Sequence, residues 1–225
     1  MKKIIFINFL LFSITTIAQK KITRNLGDFS ILKVYNGIEV ELIKSNVNKL
    51  EITGVKSEKV KIKTIDDTLK ILLKFPEISA ERKVLVKLFY KNKLEIIDGN
   101  EGAIITGKNI VQDNIIIKTQ ERAFINLVIN VKKLEVKAIS GGIIKLSGTT
   151  ENQVIIVDLY GVYHGFLLKT INNANVKAGT GAKAEVFVEK TLHASVNFGG
   201  SIFYKGNPKI ITNKKVAGGI IKQKK

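Results

Sequence analysis

A chain of 225 residues with 45% hydrophobic and 25% charged residues can bury a sizeable core, which excludes an intrinsically disordered protein. No cysteine occurs, so disulfides, thiolate chemistry and cysteine-based metal sites are excluded as well. The formal net charge of +18 comes almost entirely from lysine, because Arg24, Arg82 and Arg122 are the only arginines. Nucleic acid is therefore disfavoured as a partner, since the planar guanidinium that contacts phosphate with two hydrogen bonds is nearly absent.

Residues 1–18 have the features of a secretory signal peptide. A lysine pair precedes an apolar run over residues 4–17, and Ala18 ends a small-x-small pattern typical of a cleavage site. The alternative is a membrane-anchor helix, but the run is shorter than the roughly 20 apolar residues that cross a bilayer. We therefore expect a cleavable signal helix, an exported mature chain that begins at residue 19, and no transmembrane segment after signal removal.

Residues 24–98 alternate apolar and polar side chains in short runs, which is the period of half-buried β-strands. The predicted runs cover residues 31–34, 38–42, 50–52, 60–65, 69–75, 84–90 and 94–97. The pair Asn36-Gly37 fits a hairpin turn or a corner. No window keeps the 3.6-residue period over helical length, so essentially no helix is predicted after the signal peptide.

From residue 98 a short motif, small residues followed by apolar ones, repeats every 19 or 20 residues. One period of this length with two or three short strands is typical of a chain that advances by one strand spacing per turn. The predicted fold is all-β, a right-handed parallel β-helix (a single-stranded solenoid) with coils of about 20 residues. We predict one domain over residues 19–225, strand-rich over 24–98 and regularly coiled over 99–225. The predicted structural corner residues are Gly102, Gly141, Gly142, Gly161, Gly181, Gly200 and Gly219.

Candidate catalytic and metal-binding residues are scarce. Polysaccharide lyases and hydrolases need clustered carboxylates, and beyond residue 130 only Glu185 and Glu189 lie near each other in the repeat. His164 and His193 fall about half a coil out of phase, which argues against a shared metal ion. No catalytic residue, metal site or cofactor is predicted, although a carbohydrate-active enzyme and a purely structural envelope protein remain alternatives.

One aromatic concentration is a candidate ligand-facing surface, because aromatic rings can stack on sugars. An aromatic ladder inside the core explains the same residues equally well. The residues are Tyr160, Tyr163 and Phe166, with Phe203 and Tyr204 about two coils later.

Several sequence motifs, and the order in which they occur, resemble those of the "putative auto-transporter adhesin, head GIN domain" family over nearly the whole mature chain. They occupy residues 28–29, 33–40, 98–103, 140–144, 203–208 and 218–219. The resemblance implies a β-helical domain exported by Gram-negative bacteria to the periplasm or the cell surface, associated with the outer membrane, with no catalytic residues to carry over. Arg122-Ala123 stands where the family has a glycine pair, which argues against the glycines being ligand contacts.

The predicted function is therefore a non-enzymatic exported domain used for adhesion or for cell-envelope binding. Its lysines alternate with apolar residues along the predicted strands, so they should form outward faces. A carbohydrate or an anionic envelope component is the expected class of partner.

Overall fold

The computed structural model describes residues 21–81 and 83–225. It contains 17 β-strands, and along many of them buried and exposed side chains alternate. In the segment Ile31–Val34, for example, Leu32 and Val34 are fully buried while Lys33 faces outward. The predicted signal peptide lies outside the described residues. No helix within the described part of the chain has the length and apolarity needed to cross a membrane.

The N-terminal part contains eight strands, of which β2 to β8 correspond to the seven predicted runs and β1 to none of them. They are β1 (Ile22–Asn25), β2 (Ile31–Val34), β3 (Glu39–Lys44), β4 (Lys49–Thr53), β5 (Val60–Ile65), β6 (Thr68–Leu73), β7 (Leu85–Tyr90) and β8 (Ile96–Gly99). Among the described residues the one helical element is a single 3₁₀ turn, Ser57–Lys59. Three pairings here are antiparallel, β1 with β4, β4 with β7 and β5 with β6, whereas β2 and β3 form parallel pairs with strands further along the chain.

Asn36 and Gly37 form a corner and not a hairpin turn. Both residues have left-handed backbone conformations, with φ of 58° and 66°. The flanking strands do not pair with each other, because β2 pairs with β6 and β8 while β3 pairs with β7 and β9.

The rest of the chain is a β-solenoid, which confirms the predicted fold class; the solenoid has about seven turns with coils of about 19 residues. Its strands are β9 (Ile104–Thr119), β10 (Phe124–Ala138), β11 (Ile143–Val157), β12 (Val162–Ala178), β13 (Lys183–Val188), β14 (Thr191–Asn197), β15 (Ser201–Lys205), β16 (Lys209–Val216) and β17 (Ile220–Gln223). Each pairs in parallel with the equivalent strand of the next coil. Phe124, for instance, lies beside Ile104 on one side and Ile143 on the other.

Each coil has two arms that meet at a bend. In β10, inward and outward side chains alternate over residues 124–131 and again over residues 134–138. Between these two stretches, Lys132 and Lys133 are both exposed, which interrupts the alternation. We call residues 124–131 and their equivalents in other coils the first arm, and residues 134–138 and their equivalents the second arm. The inward side chains of both arms belong to one continuous apolar core.

The corner that leads from one coil to the next has three successive positions. In the coil that begins with β11, Ser140 and Gly141 are left-handed, with φ of 50° and 73°, and Gly142 follows. A Cβ atom on Gly142 would lie 2.6 Å from Thr119 Oγ1 and 2.8 Å from the Thr119 carbonyl oxygen of the preceding coil. The third position therefore requires a small residue.

The predicted corner glycines occupy two of these positions. Gly102, Gly141 and Gly181 are in the second, left-handed position, with φ of 73°, 73° and 59°. The third position holds the other predicted glycines and three alanines: Ala103, Ala123, Gly142, Gly161, Ala182, Gly200 and Gly219. Glycine in the second position allows the left-handed backbone conformation. A glycine or alanine in the third position allows the backbones of two coils to approach closely.

Candidate functional site

Outward side chains of the second arm line up from coil to coil, because the parallel strands stay in register. One such column joins nine positions: Lys70, Lys33, Asp98, Lys118, Lys137, Ile156, Lys177, Ser195 and Lys214. We call its six lysines the lysine row. With about 4.8 Å between neighbouring strands, the column extends for about 38 Å along the solenoid.

The lysine row is largely free of acidic partners. Lys33 Nζ lies 3.5 Å from Asp98 Oδ2. Within residues 21–81 and 83–225, no other lysine of the row forms an ion pair or a side-chain hydrogen bond. The neighbouring outward column contains Ile116, Glu135 and Val154 and so adds one acid. Ammonium groups repeated along one line with little compensation create an extended positive potential.

Some lysines on the first arm and at the bends, unlike most of the lysine row, contact carboxylates. Lys183 Nζ lies 2.6 Å from Glu185 Oε1, and Lys169 Nζ lies 2.7 Å from Glu189 Oε1. These paired lysines contrast with the lysine row, in which only Lys33 lies near a carboxylate of the described residues.

Asp113, at a bend, illustrates the paired arrangement and permits a prediction on pH dependence. Lys132 Nζ lies 2.8 Å from Oδ1 and Lys93 Nζ lies 3.1 Å from Oδ2. Hydrogen bonds from Lys132 and Lys93 lower the pKa of Asp113 to about 2. Because the pKa is depressed in the folded state, the ion pairs stabilise the fold above the unfolded pKa of about 3.9, and this contribution disappears as the pH falls through about 2.

We expect an NMR titration of the Asp113 carboxyl carbon to show a midpoint near pH 2. In the Lys132→Gln variant the midpoint should move up toward the ordinary value of about 3.9. An ordinary midpoint in the unmodified protein would contradict the ion pairs at this bend.

Tyr163 is fully buried, which corrects its assignment to the ligand-facing aromatics. Inward and outward positions alternate along β12, and Tyr163 is on the inward side, in register with Ile144 and Ala184. Its hydroxyl lies 3.0 Å from Gln153 Oε1, and Gln153 Nε2 in turn donates to Thr170 Oγ1. Burial strongly raises the pKa of Tyr163, so the residue is a hydrogen-bonded core tyrosine.

The other candidate aromatics do not form one common face. Phe166 and Phe203 are half-buried on the first arm, with the Lys205 ammonium 5.2 Å from the Phe166 ring centre and the Lys224 ammonium 4.8 Å from that of Phe203. Tyr204 packs partly against the core. Tyr160 is 70% exposed at a corner.

Tyr160 has a backbone conformation that disfavours bulky residues. Its φ is 63° and that of Leu159 is 47°. A left-handed conformation costs a non-glycine residue about 1–2 kcal/mol. We expect Tyr160→Gly to raise the free energy of unfolding by about 1 kcal/mol, since most of the ring is exposed and contributes little packing.

Urea denaturation measures this change. Arg122→Gly is the matched control, because Arg122 occupies the same corner position with φ of 61° and should give a similar gain. Destabilisation by Tyr160→Gly alone would mean that the contact of its ring with Gly181 outweighs the backbone strain.

The two histidines lie on different arms, His164 beside Lys145 on the first and His193 beside Asn175 on the second. Across the described residues, no group of three or more histidine, aspartate or glutamate side chains could hold a metal ion. The lysine row was not identified from the sequence. The signal that could have found it is the recurrence of lysine at equivalent repeat positions, as at Lys118 and Lys137.

Solved structures similar to this chain share its fold. A "putative adhesin" from Bacteroides fragilis superimposes with a TM-score of 0.79 at 21% identity, covering 92% of this chain and 98% of that one. A "putative adhesin" from Parabacteroides merdae gives 0.70 at 19% identity, covering 93% and 98%. A "putative lipid binding protein" from Parabacteroides distasonis gives 0.67 at 17% identity, covering 93% and 98%. At these identities the likeness establishes the fold, and a shared fold does not by itself establish a shared ligand.

No protein with a curated function matches the sequence. The model of the family described as "putative auto-transporter adhesin, head GIN domain" matches residues 28–208. That match extends from just before β2 to just before β16, and so includes every predicted corner except the one at Gly219 and most of the lysine row. The chain belongs to the head GIN domain family of putative auto-transporter adhesins.

Proposed function

We propose that this protein is a non-enzymatic adhesion domain, exported to the periplasm or the cell surface, that binds linear polyanions along the lysine row. The observation that carries the proposal is the column of largely unpaired lysines on the second arm. Membership of an adhesin family supports the adhesive role, and the signal-like residues 1–18 support export.

The chemistry of lysine favours a polymer over a small, precisely shaped ligand. An ammonium group is a compact, flexible point charge, so it attracts carboxylate, sulfate or phosphate without requiring one geometry. A polymer lying parallel to the solenoid axis would meet one column position about every 4.8 Å. Its binding would release condensed counterions, which makes the affinity strongly dependent on salt.

The enzymatic alternative has weaker support. Glu77 and Glu81 are close together, since both contact Lys56 Nζ, at 3.1 Å and 3.4 Å. Hydrogen bonds from Lys83 and Lys56 lower the pKa of Glu81. A general acid for glycoside cleavage needs a raised pKa, so this pair is suited to an ion-pair network and not to proton donation.

Titration calorimetry with polygalacturonate and with neutral dextran tests the proposal. We expect polygalacturonate to bind and its affinity to fall steeply between about 50 and 200 mM salt, while dextran gives no binding heat. Equal binding of the neutral polymer, or an affinity independent of salt, would contradict it.

A further inference from the structure

The first arm contains a groove that is separate from the lysine row. Its volume is about 480 Å³, within the range of about 300–1,000 Å³ that is usual for small-molecule sites. Phe124 and Ile143 form one apolar side, and Phe166 and Leu167 form the other. These side chains come from three successive coils.

A β-bulge in β12 creates the second apolar side. The pairing with β11 shifts between Lys145 and Ser147, because Lys145 lies opposite His164 and Ser147 lies opposite Leu167. Phe166 is therefore extra relative to β11, and both it and Leu167, which is 68% exposed, reach the surface. Bulges often redirect side chains beside functional sites.

Glycine is required inside this bulge. A Cβ atom on Gly165 would lie 2.6 Å from the ring of Tyr163 and 2.7 Å from the Glu185 carbonyl oxygen. The buried Tyr163 ring therefore packs against the bulge from the core side, and residues 163–167 together build the second apolar side of the groove.

Charged side chains lie between the two apolar sides. Lys145, His164 and Glu185 form one outward column, in register from coil to coil. Glu185 is already engaged twice, with Oε2 at 2.8 Å from His164 Nδ1 and Oε1 at 2.6 Å from Lys183 Nζ. Lys145 is exposed and forms no ion pair or side-chain hydrogen bond with any described residue, so its ammonium is the available charge in the groove.

The geometry points to a binding site for a single acidic sugar ring, with its carboxylate at Lys145. A pyranose ring has apolar faces and polar edges, which suits a site with apolar walls on two sides and charged groups between them. A fatty acyl chain needs a continuous apolar path, and here the column of Lys145, His164 and Glu185 interrupts that path. The carboxylate is favoured over a neutral substituent, because a charged hydrogen bond to Lys145 is stronger than a neutral one.

An NMR titration of ¹⁵N-labelled protein with galacturonate and with galactose tests this site. Galacturonate should shift the amide signals of Lys145, His164 and Leu167 at millimolar concentrations. Galactose should bind about tenfold more weakly, the loss expected when a hydrogen bond to a charged group is removed. Absence of shifts at these residues, or equal affinity for the two sugars, would overturn the proposal.

Two variants sharpen the test. Lys145→Gln should weaken galacturonate binding about tenfold and leave the already weak galactose binding unchanged. Leu167→Ser removes one wall at an exposed position and should weaken both sugars several-fold, with an otherwise unchanged spectrum confirming the fold. Unchanged galacturonate affinity in Lys145→Gln would show that the carboxylate is not bound there.

Lys137→Gln separates this inference from the proposed function. Lys137 is in the lysine row, so the variant should lose polygalacturonate affinity and retain galacturonate affinity. A parallel loss of both would place the monosaccharide on the lysine row and overturn the groove assignment. In the unmodified protein, binding of galacturonate together with a failure of polygalacturonate to bind would leave the groove assignment intact and count against the lysine row alone.

Discussion

Replacing Lys118, Lys137 and Lys177 together with glutamine should weaken polygalacturonate binding by about 100-fold at low salt. A lysine near an anionic surface contributes about 1 kcal/mol, and the loss of about 3 kcal/mol corresponds to roughly two factors of ten. The dependence of log affinity on log salt concentration should become less steep, because fewer counterions are released. Titration calorimetry at several salt concentrations measures both quantities.

The control variant replaces Lys87, Lys108 and Lys222 with glutamine. These lysines are exposed, lie outside the row and form no ion pair with a described residue. Their replacement lowers the net charge by the same amount, so we expect only a few-fold loss of affinity from the weaker long-range field. Equal losses in the two variants would mean that net charge, and not the alignment of the row, determines binding.

Gly161→Ala should lower the free energy of unfolding by about 3 kcal/mol or more. A Cβ atom at this position would overlap the Ala138 carbonyl oxygen of the preceding coil and lie 2.5 Å from the Ala138 carbonyl carbon. The backbone cannot move away freely, because the Gly161 amide donates to the Asp158 carbonyl at 2.9 Å and the Val162 amide donates to the Gly142 carbonyl at 2.9 Å. The clash must therefore separate two coils or break these hydrogen bonds.

Gly102→Ala is the matched control for this prediction. Gly102 also lies at a corner, but no atom is within 4 Å of a Cβ built there, and its φ is 73°. Alanine should cost only the left-handed strain of about 1–2 kcal/mol. Urea denaturation of both variants gives the comparison, and similar losses would show that close approach between coils does not limit the third corner position.

Local sequence patterns predicted much of the fold. The period-two run at residues 60–65 corresponds to β5, and the run at 31–34 to β2, because alternation of side chains is a property of each strand alone. The return of small residues near 20-residue intervals predicted the solenoid, since every coil must turn with the same few backbone conformations.

Which side chains lie next to each other on neighbouring coils could not be predicted, because it depends on contacts between the coils. Tyr163 was predicted to face a ligand, and only its position in β12 shows that it points inward. The bulge at Phe166 changes the offset between β11 and β12 from 19 residues at Lys145 and His164 to 20 at Ser147 and Leu167. The lysine row likewise depends on strand register: Lys33 and Asp98 are 65 positions apart in the sequence but adjacent across strands. The sequence of β4 alternates in the same way as that of the parallel strands, so its antiparallel pairing with β1 and β7 could not be predicted.

The sequence by itself determined that this protein is a β-solenoid with glycine-dependent corners, because alternation and repeat period are local and survive any choice of partner strand. Only the tertiary structure decided which lysines form one row, which aromatics are buried and where a groove opens. The physical reason is that bulges, such as the one at Phe166, change the offset between neighbouring coils at places that the pattern of a single strand does not reveal. Register between coils is set by the packing and hydrogen bonding of the whole stack, and the candidate binding surfaces are a consequence of that register.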